Sequence, residues 1–255
     1  MRFSVLASGS KGNCTFIETK GTKILVDLGT TSLYVEKELK QLNVDPKTIQ
    51  GIFITHIHSD HISGLKVFLK KYKMPLFLSE KMYKELSKMI SISDYVILED
   101  DTFLLNDLKV EIFKTSHDAD DSNGYIFYSD GKSIVYITDT GYINKKYHKK
   151  LKNHSFYIME SNHDIEMLMD GKYPYYLKQR ILGDRGHLSN LDSSNYLSSF
   201  IGEQTKGVVL IHLSHENNTP EKALETLHET LENHHQSLNR IIVSSQDEKT
   251  ELVEV

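Results

Sequence analysis

In the stretch Thr55-His56-Ile57-His58-Ser59-Asp60-His61, three imidazoles and a carboxylate fall within six positions. Histidine binds transition metals near neutral pH once its second ring nitrogen is oriented, so these donors point to metal coordination. If a strand ends at 53–55, His56 and His58 project to the same side, because alternate side chains share a face. Asp60 and His61 then fall in the turn into a helix, whose apolar residues Ile62, Leu65, Phe68, Leu69 and Tyr72 recur helically. Two separated ligand pairs result, enough to begin two metal sites. The competing reading is a polar loop with surface histidines.

Further donors each close a strand-like run, where a side chain reaches the edge of a sheet. His117 follows 110–115, Asp139 follows 134–138 and His215 follows 208–213. Singly, each is an ordinary loop, turn or cap residue. Together with His56, His58, Asp60 and His61 they satisfy two divalent ions, which need roughly four ligands each and commonly share a carboxylate. The single cysteine, Cys14, excludes an internal disulfide and a cysteine-based zinc motif, and it reads as a small packing residue. Nitrogen and oxygen donors of this kind suit Zn²⁺, Mn²⁺ or Fe²⁺.

The surrounding pattern supplies the elements that must position these groups. Strands are predicted at 3–7, 15–18, 23–26, 52–55, 76–78, 109–114, 125–128, 133–138, 156–159, 208–213 and 241–244. Helices are predicted at 33–42, 80–89, 191–200 and 221–233, the last with Thr219 as N-cap and Pro220 in its first turn. Strands in runs with helices between them predict an α/β (α+β) chain of two helix-covered sheets, one domain over 1–255. At 255 residues with 39% hydrophobic and 25% charged content, the chain can bury an ordinary core. No apolar run approaches the roughly 20 residues that span a bilayer, and no leader is evident, so a cytoplasmic protein without membrane contact is expected. A formal charge of −5 argues against a general nucleic-acid binder.

The motif His-Xaa-His-Xaa-Asp-His at 56–61, followed in order by His117, Asp139 and His215, resembles the metallo-β-lactamase-fold hydrolases over essentially the whole chain. The resemblance implies a four-layer αββα sandwich with two divalent ions at one edge of the sheets. It assigns His56, His58 and His117 to the first ion, Asp60, His61 and His215 to the second, and Asp139 to a bridge. Asp60 is also counted as catalytic.

Ser8-Gly9-Ser10-Lys11-Gly12-Asn13, Glu160-Ser161-Asn162-His163-Asp164, Gly186-His187-Leu188-Ser189-Asn190 and the segment 214–220 narrow the resemblance to the WalJ/YycJ group of bacterial 5′–3′ DNA exonucleases. Glu160 and His187 also resemble the pair that helps protonate the leaving oxygen in transfer-RNA 3′-processing endonucleases of this fold. The inserted cap domain of RNase J relatives is expected to be absent, since about 75 residues separate Asp139 from His215. A DNA phosphodiester is therefore the expected substrate, with His187 as general acid held by Glu160. A structural His–Glu hydrogen bond is the alternative for that pair. Ser10 and Asn13, in a glycine-rich loop whose N–H groups could cradle an anion, are expected to bind substrate. So are Asn162 and His163, unless they merely cap their turn. Nine Lys/Arg stand against five Asp/Glu over 145–185, and Tyr173, Tyr175 and Tyr176 within that window read as packing residues, with base stacking as the alternative. A small-ester, thioester or lactam hydrolase, and a non-hydrolytic redox or regulatory protein, are the other readings.

Overall fold

The computed structural model describes residues 1–246 and 248–255. The N-terminal part supplies strands β1 (Arg2–Ala7), β2 (Cys14–Glu18), β3 (Lys23–Val26), β4 (Ile52–Phe53), β5 (Leu76–Leu78) and β6 (Tyr95–Ile97). The rest supplies β7 (Thr102–Leu105), β8 (Leu108–Lys114), β9 (Asn123–Ser129), β10 (Lys132–Ile137), β11 (Phe156–Glu160), β12 (Gly207–Ile211), β13 (Ile241–Val243) and β14 (Val253–Glu254). One sheet runs β14-β1-β2-β3-β4-β5-β6 and the other β13-β12-β11-β10-β9-β8-β7. Each is antiparallel at one side and parallel at the other: β3 to β6 pair in parallel, as do β10 to β13.

Alternation along the strands makes the layers. On β11, Phe156 and Ile158 point into the core between the sheets, while Tyr157 and Met159 point outward. The inner core holds Phe3, Phe53, Phe77, Tyr125 and Phe127, with Phe53 stacked on Phe77 at a centroid distance of 4.4 Å. Helices α1 (Ser32–Gln41), α2 (Ser59–Ile62), α3 (Leu65–Lys71) and α4 (Glu80–Met89) follow the first strands, and Leu39, Phe68 and Leu86 cover the outer face of that sheet. Helices α5 (Lys145–His148), α6 (Ile165–Asp170), α7 (Tyr175–Leu182), α8 (Asn190–Phe200) and α9 (Pro220–Asn233) belong to the second half. Leu197 on α8 and Leu227 on α9 cover its outer face. The expected four-layer αββα sandwich is the observed one. No helix among the described residues is long and apolar enough to cross a membrane.

Strands β3, β4, β8, β10, β11 and β12 all direct their C-terminal ends to the same edge, since β8 and β10 both run antiparallel to β9. Ligands gather at such carboxyl ends in α/β sheets, and here two sheets converge on one rim. Every candidate donor follows one of these ends or lies just beyond it.

Candidate metal centre

His56 and His58 follow β4, and His58, in extended backbone, stands at the N-cap of α2, which carries Asp60 and His61. His56, His58 and His117 present one donor atom each within 4.8 Å of one another. Asp60, His61, Asp139 and His212 form a second such group. Asp139 stands between them, its Oδ2 lying 3.1 Å from His56 Nε2 and 2.9 Å from His61 Nε2. Its Oδ1 lies 2.9 Å from His212 Nδ1, so one buried carboxylate touches both groups.

His212, and not His215, completes the second group. The strand expected to run to 213 ends at Ile211, and His212 takes a left-handed backbone (φ 59°) that turns its ring into the rim. His215 lies one turn further on, exposed, at a separate depression beside Leu213 and Pro220. Reading His212 as a strand residue concealed it from sequence analysis.

Two of the imidazoles, His117 and His61, are oriented from behind. His117 Nδ1 donates to the Gly186 carbonyl at 3.1 Å, which turns Nε2 toward His58. Nδ1 of His61 donates to Asp27, 2.8 Å away, and Asp27 also accepts from the amide and hydroxyl of Thr55. Asp27 went unnoticed in the sequence; its one signal is its place directly after the Lys23–Val26 run. Like Asp139 (φ 49°), it has a left-handed backbone (φ 60°), a conformation that non-glycine residues seldom hold and that clusters at functional sites. Asn13, expected at substrate, is buried and used internally: its amide approaches Asp60 Oδ2 and His61 Nε2, and its Oδ1 accepts from Gly9 N–H. Ser8 likewise accepts from the backbone N–H of His212. The glycine-rich loop thus braces the donors, and within it Ser10 alone lines the cleft.

The donor set fits divalent ions. Nε2 of His56 and Nε2 of His212 are buried without an aligned hydrogen-bond partner, an arrangement costly to a protein unless something else takes up the lone pair. Electrostatics agree. Burial works to raise the Asp139 carboxyl, yet His212 and His61 beside it hold it well below its ordinary value. Burial depresses His56 to about 3, so its ring stays neutral and able to coordinate.

Beside the donors, Glu160 at the end of β11 is fully buried. Its Oε1 lies 2.7 Å from His187 Nδ1 and 3.0 Å from His212 Nδ1, while Oε2 accepts from the backbone N–H groups of Thr140 and Leu188. Burial would lift the Glu160 carboxyl, but His187 prevails and holds it down to about 2. His187, opposed by its own burial, is raised by Glu160.

His187 and the donors His58, Asp60, His117, Asp139 and His212 line a cleft of about 250 Å³, together with Ser10, Asn162 and Arg180. Asn162 reaches it while donating to the His212 carbonyl. His163 does not: it is buried, neither ring nitrogen has a hydrogen-bond partner, and its turn is capped by Asp164 instead. Asp118 joins unforeseen, with Oδ1 3.3 Å from His117 Nε2 and Oδ2 bound by Arg180.

The metallo-beta-lactamase superfamily model matches residues 7–177. The chain belongs to that superfamily. Within it, the chain is 40% identical over 232 residues to exodeoxyribonuclease WalJ of Streptococcus pneumoniae, covering 89% of this chain and 86% of that protein. It is 37% identical over 236 residues to exodeoxyribonuclease YycJ of Bacillus anthracis, covering 91% and 89%. Among solved structures, the metallo-beta-lactamase fold protein YhfI from Bacillus subtilis superposes with a TM-score of 0.74 at 14% identity, over 98% of this chain and 99% of that one. That likeness concerns the fold.

Proposed function

We propose that the chain is a dinuclear metal-dependent phosphodiesterase that degrades DNA from the 5′ end. The observation that carries this reading is the Glu160–His187 pair, 2.7 Å apart, with His187 lining the cleft beside the donor groups and Glu160 buried behind it. The first ion falls to His56, His58 and His117, the second to Asp60, His61 and His212, with Asp139 shared. When bound, such ions supply a nucleophile at neutral pH and neutralise charge on phosphoryl oxygens. What they supply poorly is a proton for a departing sugar alkoxide. His187, fixed through Nδ1, carries its transferable proton on Nε2, and Glu160 stabilises the charged ring. Asp60 combines a ligand role with a position on the cleft wall, and Ser10 and Asn162 bind substrate there. The two exodeoxyribonuclease relatives support DNA as the polymer, and a cytoplasmic location suits it.

The test is degradation of end-labelled single- and double-stranded DNA and RNA by protein loaded with Mn²⁺, Zn²⁺ or Fe²⁺. Stepwise release of nucleotides from the 5′ label on DNA, abolished by chelation, is the expected result. Metal-loaded protein inert to every strand but active on a small ester would replace this reading with the small-molecule one.

A further inference from the structure

Helix α7 and Tyr173, two residues before it, wall the cleft without contributing a donor to either group. Tyr173, Leu177, Arg180 and Ile181 line the cleft, and the last three share one face of α7. Tyr176 lies one turn before Arg180, at the flank of that face. The expectation that these tyrosines are packing residues fails for two of them: Tyr175 is 71% exposed and Tyr176 75% exposed. Among the described residues neither ring packs on another aromatic ring. An aromatic left in water forgoes the stabilisation of burial, and beside a reactive cleft that pattern marks a contact surface.

Charge falls on and around the same element. Over 169–185 the chain has Lys172, Lys178, Arg180 and Arg185 against Asp170 and Asp184, within a protein of net negative charge. Arg180 donates through Nε and a terminal nitrogen to Asp118, which pins the guanidinium at the cleft. Its side chain remains 59% exposed, and its other N–H groups are free in number to meet a phosphate. Arg185, just after α7, donates to the carbonyls of His117 and Ala119, and Lys178 on α7 donates to that of Met169 on α6, so the helix is anchored at both flanks.

We propose that Tyr173, Tyr176 and Arg180 form a platform for an unpaired DNA strand, the rings stacking on bases and Arg180 engaging the backbone phosphate next to the one cleaved. The occupant is single-stranded because a ring can stack only on an uncovered base face, which a duplex offers only at its ends. The proposal deepens the phosphodiesterase reading and rests on it for the chemistry, though not for the binding.

Two measurements test it. In the first, kcat/KM is compared for a single strand and for bis(p-nitrophenyl) phosphate, a diester without bases. Tyr176→Ala should lower the strand-to-diester ratio on the order of tenfold, chiefly through KM, and Tyr176→Trp should restore it. Arg180→Ala should flatten the salt dependence of strand binding by about 0.7 in the logarithmic slope. In the second, anisotropy of a labelled single strand is read on chelator-treated protein, where no turnover occurs. Weaker binding by Tyr176→Ala there, matched by wild-type protein on a strand with abasic terminal residues, sustains the platform even if no diester is ever cleaved. Equal binding by wild type and variant, or an equal loss on blunt duplex, overturns it even in an active nuclease.

Discussion

The carboxylate of Asp27 lies 2.8 Å from Nδ1 of His61, and both side chains are sealed from solvent. A carboxylate behind a histidine fixes the ring's orientation and makes the opposite nitrogen a better donor. Asp27→Asn keeps the size of the group but removes its charge. We expect metal affinity to fall by roughly 10- to 100-fold, with the fold retained. Competition with a metallochromic chelator measures the first, and far-UV circular dichroism the second.

His212 and His215 stand three residues apart, with opposite surroundings. His212→Ala removes a donor from the second group, so on the dinuclear reading proposed above the protein should lose one ion and nearly all activity. His215→Ala alters an exposed side chain, and activity within about twofold of wild type is expected, as for surface substitutions generally. Metal content by atomic emission, read beside turnover, decides between them. A depleted His215→Ala and a fully loaded His212→Ala would reverse the assignment.

Removal of the His187 ring should matter in proportion to how much help the leaving group needs. His187→Ala is expected to slow cleavage of a natural strand by about 10²- to 10⁴-fold. Loss on an activated p-nitrophenyl diester should be roughly tenfold or less, because that phenolate departs without a proton. Equal loss on both substrates would reduce Glu160–His187 to a structural hydrogen bond.

Well away from the cleft, His154 is held between the Ser133 hydroxyl and the Lys150 carbonyl, and burial outweighs that carbonyl to lower its pKa below the ordinary value. A histidine harder to protonate when folded than unfolded favours the folded state fully only above its unfolded pKa, about 6.5. Stability should therefore fall as pH drops from 7.5 to 5.5. Urea unfolding of chelator-treated protein at the two pH values, repeated on His154→Gln, isolates the contribution. The variant should lose less than wild type over this interval. Identical losses would place the acid sensitivity elsewhere.

Much of this was legible in the sequence where local pattern and tertiary outcome coincide. Helix α4 spans the predicted 80–89, because Ser79 caps it and Met82 and Leu86 supply its buried stripe. Donors packed within 56–61 were legible for the same reason: a single turn determines their separation. Where the chain leaves a strand, the legibility fails. Val208 to Leu213 reads as one β-rich run, and nothing local announces that the strand stops at Ile211. Asp27 is concealed likewise, since its partner His61 is 34 residues away and only the pairing of β3 with β4 brings them together. Asn13 and His163 look like substrate residues in sequence because polar groups in turns usually face water. Burial under the neighbouring loops reverses both.

Asp27, Asp139 and His212 share a left-handed backbone just past a strand end. Asp, Asn and His are the side chains most at ease there after glycine, and β-branched residues the least. At these three positions the alphabet of tolerated replacements is therefore narrowed by the main chain before any ion is considered. Asp139→Asn should leave the turn intact while weakening the donor, whereas Asp139→Val should disturb the path of the chain itself. A library randomised at these sites and selected only for folding would already return a vocabulary rich in potential metal ligands.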